Sequence, residues 1–181
     1  MAKEIIGWPE WPSPPVLQSG AIIRPVWGEL RTASAETIDL LVPLGEKNGP
    51  GLEGVRLRIC VYSFRRQFEV TATLEASGGR SFCAIARVDA WPADPHMNTR
   101  CRKNAALGHL PSIVTGDHVH RFSDNAHMGR KGFAPHDNLP AAIGTDEPVV
   151  SFRQFLRIVS LEFRVDGIED IPPPDSWQVL L

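Results

Sequence analysis

Three consecutive stretches decide the fold: Val55-Arg-Leu-Arg-Ile-Cys-Val-Tyr62, Phe68-Glu-Val-Thr-Ala-Thr-Leu-Glu75 and Ser81-Phe-Cys-Ala-Ile-Ala-Arg-Val-Asp89. In the first, Val55, Leu57, Ile59 and Val61 alternate with Arg56, Arg58, Cys60 and Tyr62. In the second, Phe68, Val70, Ala72 and Leu74 alternate with Glu69, Thr71, Thr73 and Glu75. In the third, Phe82, Ala84, Ala86 and Val88 share one face, and Cys83, Ile85, Arg87 and Asp89 the other. A period of two is the mark of a half-buried strand, because successive side chains leave opposite faces. Gly78 and Gly79 supply a hairpin turn. Three strands with short connections predict an antiparallel meander.

Outward from this centre, Ala21–Val26 and Ile38–Val42 read as edge strands, and residues 117–122 as another short strand. A short helix is expected around Cys101–Leu107. Residues 123–147 are rich in Gly, Asn and Pro and read as a long loop. From Ser151 to Arg164, Phe152, Phe155, Leu156, Val159 and Phe163 follow helical spacing behind a serine N-cap, and Gly167 stops the helix. Such a helix cannot bury its apolar face alone, so it packs on the meander. The expected architecture is α+β: one domain over residues 1–181, an antiparallel meander of about 4–6 strands against a C-terminal helix. Residues 1–18 carry Trp8, Trp11 and a run of prolines, and read as an extended arm laid over the domain.

Composition narrows the class. The chain has 181 residues, 43% of them hydrophobic and 22% charged, which fits a globular protein and excludes a disordered chain or a coiled coil. Its three cysteines, Cys60, Cys83 and Cys101, lack paired spacing, so neither a disulfide framework nor a zinc ribbon is expected. No apolar run is long enough for a transmembrane helix, and Glu4 and Glu10 interrupt any leader-like start. These features predict a reduced, cytoplasmic protein without a membrane partner. A net charge of −2 excludes a whole-molecule basic footprint for nucleic acid. Residues 96–131 are nevertheless locally basic, with Arg100, Arg102, Lys103, Arg121, Arg130 and Lys131 against Asp117 and Asp124.

All six histidines fall in one segment: His96, His109, His118, His120, His127 and His136. His118 and His120 are the sharpest pair, because residues i and i+2 of a strand share a face. Arg87 and Asp89 repeat that spacing on the preceding long strand. Pairing of the two strands would gather Arg87, Asp89, His118 and His120 into one patch, with His96 and Asn98 folding back over it. His109, His127 and His136 read as loop residues without a role.

That patch has the parts for metal-free phosphodiester chemistry. His118 and His120 act as acid and base, with His96 as a third proton donor and Asp89 fixing a tautomer. Arg87 clamps phosphate, and Asn98 and Arg121 add substrate contacts. RNA is the substrate class, its own 2′-hydroxyl the nucleophile. Walker loops, nucleophile elbows and dinucleotide glycine fingerprints are absent, so this reading calls for no cofactor and no metal. Two alternatives stand beside it. His96, His118, His120 and Asp89 could instead be a ligand set for a metal-dependent hydrolase. Five tryptophans, the proline-rich arm and the 123–147 loop also suit a non-catalytic interaction protein.

The order Arg87-x-Asp89, Pro95-His96-x-Asn98 and Gly116-x-His118-x-His120 resembles that of a group of small bacterial proteins with R-x-D, H-x-N and G-x-H-x-H spacing. More distantly it resembles TumE-like toxins of toxin–antitoxin modules, which carry an R-x-D followed by paired His. The resemblance covers about residues 80–122. It implies a bacterial or phage-borne toxin or defence protein acting on RNA, with an antitoxin or target complex as protein partner.

Overall fold

The computed structural model describes residues 28–29, 37–45, 51–62, 65–77, 81–133, 139–174 and 177. The expected arm over 1–18, the edge strand Ala21–Val26, the Gly78–Gly79 turn and His136 lie outside these residues. The architecture is α+β, as expected. One antiparallel sheet contains β1 (Gly28–Glu29), β2 (Thr37–Gly45), β3 (Gly51–Tyr62), β4 (Val70–Ser77) and β5 (Phe82–Ala90) as a meander. Beyond β5 lie β8 (His118–His120) and β9 (Ile143–Gly144), giving seven strands, of which β1 and β9 contribute two residues each. A separate two-stranded ribbon pairs β6 (His96–Met97) with β7 (Ile113–Val114).

The alternation sets the two faces of the sheet. Leu40 opposes Ile59, Ile59 opposes Ala72, Ala72 opposes Val88 and Val88 opposes Val119. All five are buried in one core with Phe155, Leu156, Val159 and Phe163 of α2 (Phe152–Phe163), which packs against β5. Each of the larger side chains, Ala72 excepted, contributes roughly 1.5–3 kcal/mol by leaving water. Ser151 caps α2 by accepting from the Gln154 N–H at 3.1 Å. The helix stops earlier than Gly167: Arg164 already takes the left-handed conformation, with φ 53°.

Three local expectations are corrected. The register shifts opposite Leu74 and Glu75, so that Leu74 faces Ala86 while Glu75 faces Ala84, and Ile85 is the extra residue of a bulge. Phe82 and Ala84 therefore sit on the opposite face from Ala86 and Val88. The Arg56 guanidinium, which lies 3.8 Å over the Phe82 ring, marks that polar face. Residues 101–107 form turns that close in a 3-10 turn at Ala105–Leu107 instead of an α-helix, with Asn104 capping it. The strand at 117–122 is confined to His118–His120, and Phe122 already begins α1 (Phe122–Ala126), so the expected 123–147 loop carries helix, 3-10 turn and strand. Among the described residues no helix is long and apolar enough to cross a membrane.

Candidate metal centre

The face opposite the core is a polar ladder that ends in the histidines. Asp39 opposes Cys60, Cys60 opposes Thr71, Thr71 opposes Asp89 and Asp89 opposes His118. The neighbouring rung runs Arg58, Thr73, Arg87, His120. The pairing of the Arg87/Asp89 strand with the His118/His120 strand is therefore present. The junction is fastened by Asp117, whose two carboxylate oxygens accept from the Trp91 and Val149 amides, each at 2.7 Å.

His96 reaches the patch from the β6–β7 ribbon. Its ring centroid lies 4.6 Å from that of His120 and 5.5 Å from that of His118, and the last two are 5.1 Å apart. One nitrogen from each of the three rings falls within 4.8 Å of the others. His118 is 3% exposed and His120 is 0% exposed, whereas His96 is half-buried, so the cluster opens to solvent on the His96 side.

Hydrogen bonds fix which nitrogens are spare. His96 Nε2–H donates to the Pro140 carbonyl at 3.2 Å, leaving the Nδ1 lone pair. His118 Nδ1–H donates to the Gly116 carbonyl at 2.8 Å, which leaves Nε2 facing Asp89 Oδ2 at 3.3 Å. A lone pair against a carboxylate needs a positive centre between them, either a proton or a metal ion. Gly116 holds that turn at φ 78°, a conformation glycine adopts freely. His120 Nε2 is shared between Asp89 Oδ2 at 3.1 Å and Arg87 Nη2 at 2.9 Å. Its Nδ1 is buried without a hydrogen-bond partner.

The electrostatics follow from burial. Burial pulls His120 down to about 4, outweighing the Asp89 carboxylate that favours its charged form. Burial lowers His96 in the same direction, outweighing its bond to Pro140. Both rings are thus neutral near pH 7, the form that binds metals. Burial opposes ionisation of Asp89, but the His118 and His120 hydrogen bonds and the Arg87 charge outweigh it and hold the carboxyl well below the usual carboxylate range. Arg87 Nε donates to Asp89 Oδ2 at 2.7 Å.

The remaining candidates lie elsewhere. Asn98 is buried, and its amide donates to the Pro111 and Ala142 carbonyls at 2.7 and 2.8 Å and accepts from the Ala142 N–H at 2.9 Å. It is a backbone clamp rather than a substrate contact. Arg121 forms a bidentate pair with Glu162 of α2 at 2.9 and 2.8 Å, which holds it to the helix instead of the cluster. His109 is exposed and lies 3.6 Å from Asp124. Sequence reading missed Asn125, whose buried amide donates to Ala141 O at 3.0 Å and accepts from Ala141 N at 3.0 Å. Asn98 and Asn125 together grip residues 141–142 and so place the Pro140 carbonyl that orients His96. A buried asparagine binding chain 16 or 44 residues away leaves no local pattern to find.

No family model, curated protein or solved structure matches this chain.

Proposed function

We propose that this chain is a metal-dependent enzyme of hydrolase type, with the ion held by His96, His118 and His120. The convergence of three imidazole nitrogens within 4.8 Å carries the reading. Bonds of 2.0–2.1 Å to a tetrahedral ion place ligand atoms about 3.3–3.4 Å apart, so a modest contraction closes the site. Two further observations support it. The spare N–H groups of His96 and His118 are tied to backbone carbonyls, the outer contacts that orient metal-binding imidazoles. The unpartnered His120 Nδ1 adds a buried ring nitrogen whose isolation costs roughly 1–3 kcal/mol.

An all-imidazole set favours zinc and neighbouring first-row ions over magnesium or calcium. Such an ion, when bound, polarises substrate oxygens and brings the pKa of a coordinated water to near 7. The chain supplies the rest. His118 and His120 form the dry floor, His96 borders the mouth, and Arg87 neutralises Asp89 and fixes its carboxylate beside both rings.

A second reading keeps the histidines as a metal-free acid–base pair for RNA cleavage. The Asp89 contacts to His118 and His120 favour it, since a carboxylate can fix a catalytic tautomer. It requires the rings themselves to touch a phosphodiester, and their burial opposes that. A metal centre asks only that a small ligand reach the ion.

Metal analysis of the purified protein, followed by Zn²⁺ and Co²⁺ titration of chelator-stripped protein, separates the two. The expected result is one ion per chain, lost in His96→Ala while cooperative melting persists. A stripped chain that takes up none of Zn²⁺, Co²⁺, Mn²⁺ or Fe²⁺ overturns the proposal. RNA cleavage by that protein, abolished in His118→Ala, would establish the second reading.

A further inference from the structure

We propose that Asp117 is a positioning residue of the metal centre: by bracing the strained Trp91 it holds the turn that presents His118. The inference rests on the metal reading and adds to it a residue that touches no ion. Gly116, Asp117 and His118 are consecutive. The Gly116 carbonyl accepts from His118 Nδ1–H at 2.8 Å, and so decides that Nε2 is the nitrogen offered. A ring oriented by a carbonyl two residues before it is only as well placed as the turn between them. Asp117 fixes that turn from both its side chain and its backbone. One carboxylate oxygen accepts from the Trp91 amide and the other from the Val149 amide, each at 2.7 Å. Its carbonyl accepts from the Thr145 amide at 3.0 Å and from the Thr145 hydroxyl at 3.4 Å. These partners belong to three separate segments: Trp91 follows β5, Thr145 follows β9 and Val149 precedes α2. Bonds to an ionised acceptor are stronger than those between neutral groups.

Backbone strain at the same junction is the second observation. Trp91 has φ 50°, a conformation rare for a bulky side chain. Three bonds keep it there: its amide to Asp117, its carbonyl accepting from the Glu69 amide at 2.9 Å, and its indole N–H to the Val149 carbonyl at 2.8 Å. Glu69 itself has φ 44°. Strain of this kind persists only where the surroundings over-determine it, and it concentrates at functional sites. Here Trp91 lies two positions after Asp89, and Asp117 lies one position before His118. Asp89 and His118 are cross-strand partners whose side chains meet at 3.3 Å. The Asp117–Trp91 bond thus ties together the two chain ends that carry those groups. His120 lies further along β8, opposite Arg87, and is held by its own contacts to Arg87 and Asp89. Loss of the brace therefore displaces His118 and leaves the ion bound, more weakly and in an altered geometry.

Two substitutions in the full chain test this. Asp117→Asn keeps the size but cannot accept at both oxygen positions, and Asp117→Glu keeps the charge on a longer stem. The control is Ile59→Val, a mild change on the core face of β3, opposite the cluster. Zn²⁺ affinity, the visible d–d bands of the Co²⁺-loaded chain and Tm with chelator present are measured for each. The expected result in both Asp117 variants is one ion per chain, Zn²⁺ affinity lower by roughly 10–100-fold and shifted Co²⁺ bands. Ile59→Val is expected to lower Tm and to move neither metal readout. Wild-type affinity and bands in an Asp117 variant that folds overturn the inference, as does a loss of affinity that Ile59→Val reproduces. If neither Asp117 variant folds, nitrogen-15 NMR of the His118 ring in the chelator-treated wild-type chain decides: one Nδ1–H tautomer is expected, and Nε2–H or a mixture overturns the inference. A wild-type chain that binds neither Zn²⁺ nor Co²⁺ instead removes the metal reading on which it rests.

Discussion

Acidification destabilises this fold at a pH where its carboxylates are still ionised. His120 is the reason: it titrates near 6.5 when unfolded, and burial pulls it down to about 4 in the folded chain. The folded state therefore favours the neutral ring. Its contribution is complete above about pH 6.5 and is lost as pH falls toward 4, because the unfolded chain takes up the proton first. The full difference is worth about 3 kcal/mol. At pH 5.0 about 2 kcal/mol of it has gone. For a domain of this size that lowers Tm by about 4–8 °C. His96 is lowered too and adds to the same trend. Asp89, held well below the usual carboxylate range, contributes only at more acid pH. Calorimetric melting at pH 7.5 and 5.0, at matched ionic strength and with chelator present, makes the measurement. A Tm at pH 5.0 equal to or above that at pH 7.5 would refute the argument.

Three substitutions probe other parts of the structure. Asn98→Ala leaves the Ala142 N–H and the Pro111 carbonyl unpaired; a loss of about 1–3 kcal/mol is expected in urea denaturation. Because Asn98 also sets the chain that orients His96, Zn²⁺ affinity should fall roughly 10–100-fold. Unchanged affinity would show that the clamp does not reach the proposed metal site. Ser151→Ala removes the cap on Gln154 and should cost about 1 kcal/mol, read as a lower urea midpoint with unchanged slope. Arg164→Gly should stabilise by about 0.5–1 kcal/mol, since φ 53° is strained for arginine and free for glycine; a fall in Tm would point to an Arg164 contact that outweighs the strain.

The parts of this structure that the sequence discloses are those with a local period. The alternation of β3 and β4 and the apolar stripe of α2 each declare a buried face, and antiparallel pairing then leaves little freedom in how the faces meet. The same logic joins Arg87 and Asp89 to His118 and His120, because two i, i+2 pairs on adjacent strands share one face. What the sequence hides is non-local or masked by chemical similarity. Ala84, Ile85 and Ala86 are all apolar, so the bulge that moves Phe82 and Ala84 to the polar face has no compositional mark. The roles of Asn98 and Asn125 arise from chain 16 to 44 residues away. The expected helix end near Arg164 holds, but Arg164 itself stops α2, in a conformation more often taken by glycine, so Gly167 is the wrong residue to read as the stop.

The cost of the histidine cluster argues that it is more than packing. Elsewhere, polar groups answer one another: buried Glu75 on the same sheet face meets two arginines, and the half-buried Asp117 before β8 meets two amides. A purely structural cluster at β5 and β8 could be replaced by apolar residues at little or no loss, because desolvating ion pairs usually returns less than it takes. Here the chain keeps a carboxylate, a guanidinium and three imidazoles together in a site where His120 is fully closed to solvent. Among the described residues, His120 Nδ1 is the buried side-chain atom left without a partner. On the metal reading proposed above, an ion is what completes the bonding of this ring. With His120 as a proposed ligand, proton and ion compete for the same ring, and ion binding should raise Tm most where the proton competes least, above about pH 6.5. Melting with and without Zn²⁺ across that range measures it. A gain in Tm that grows toward pH 5 would mean that the ion binds somewhere other than these histidines.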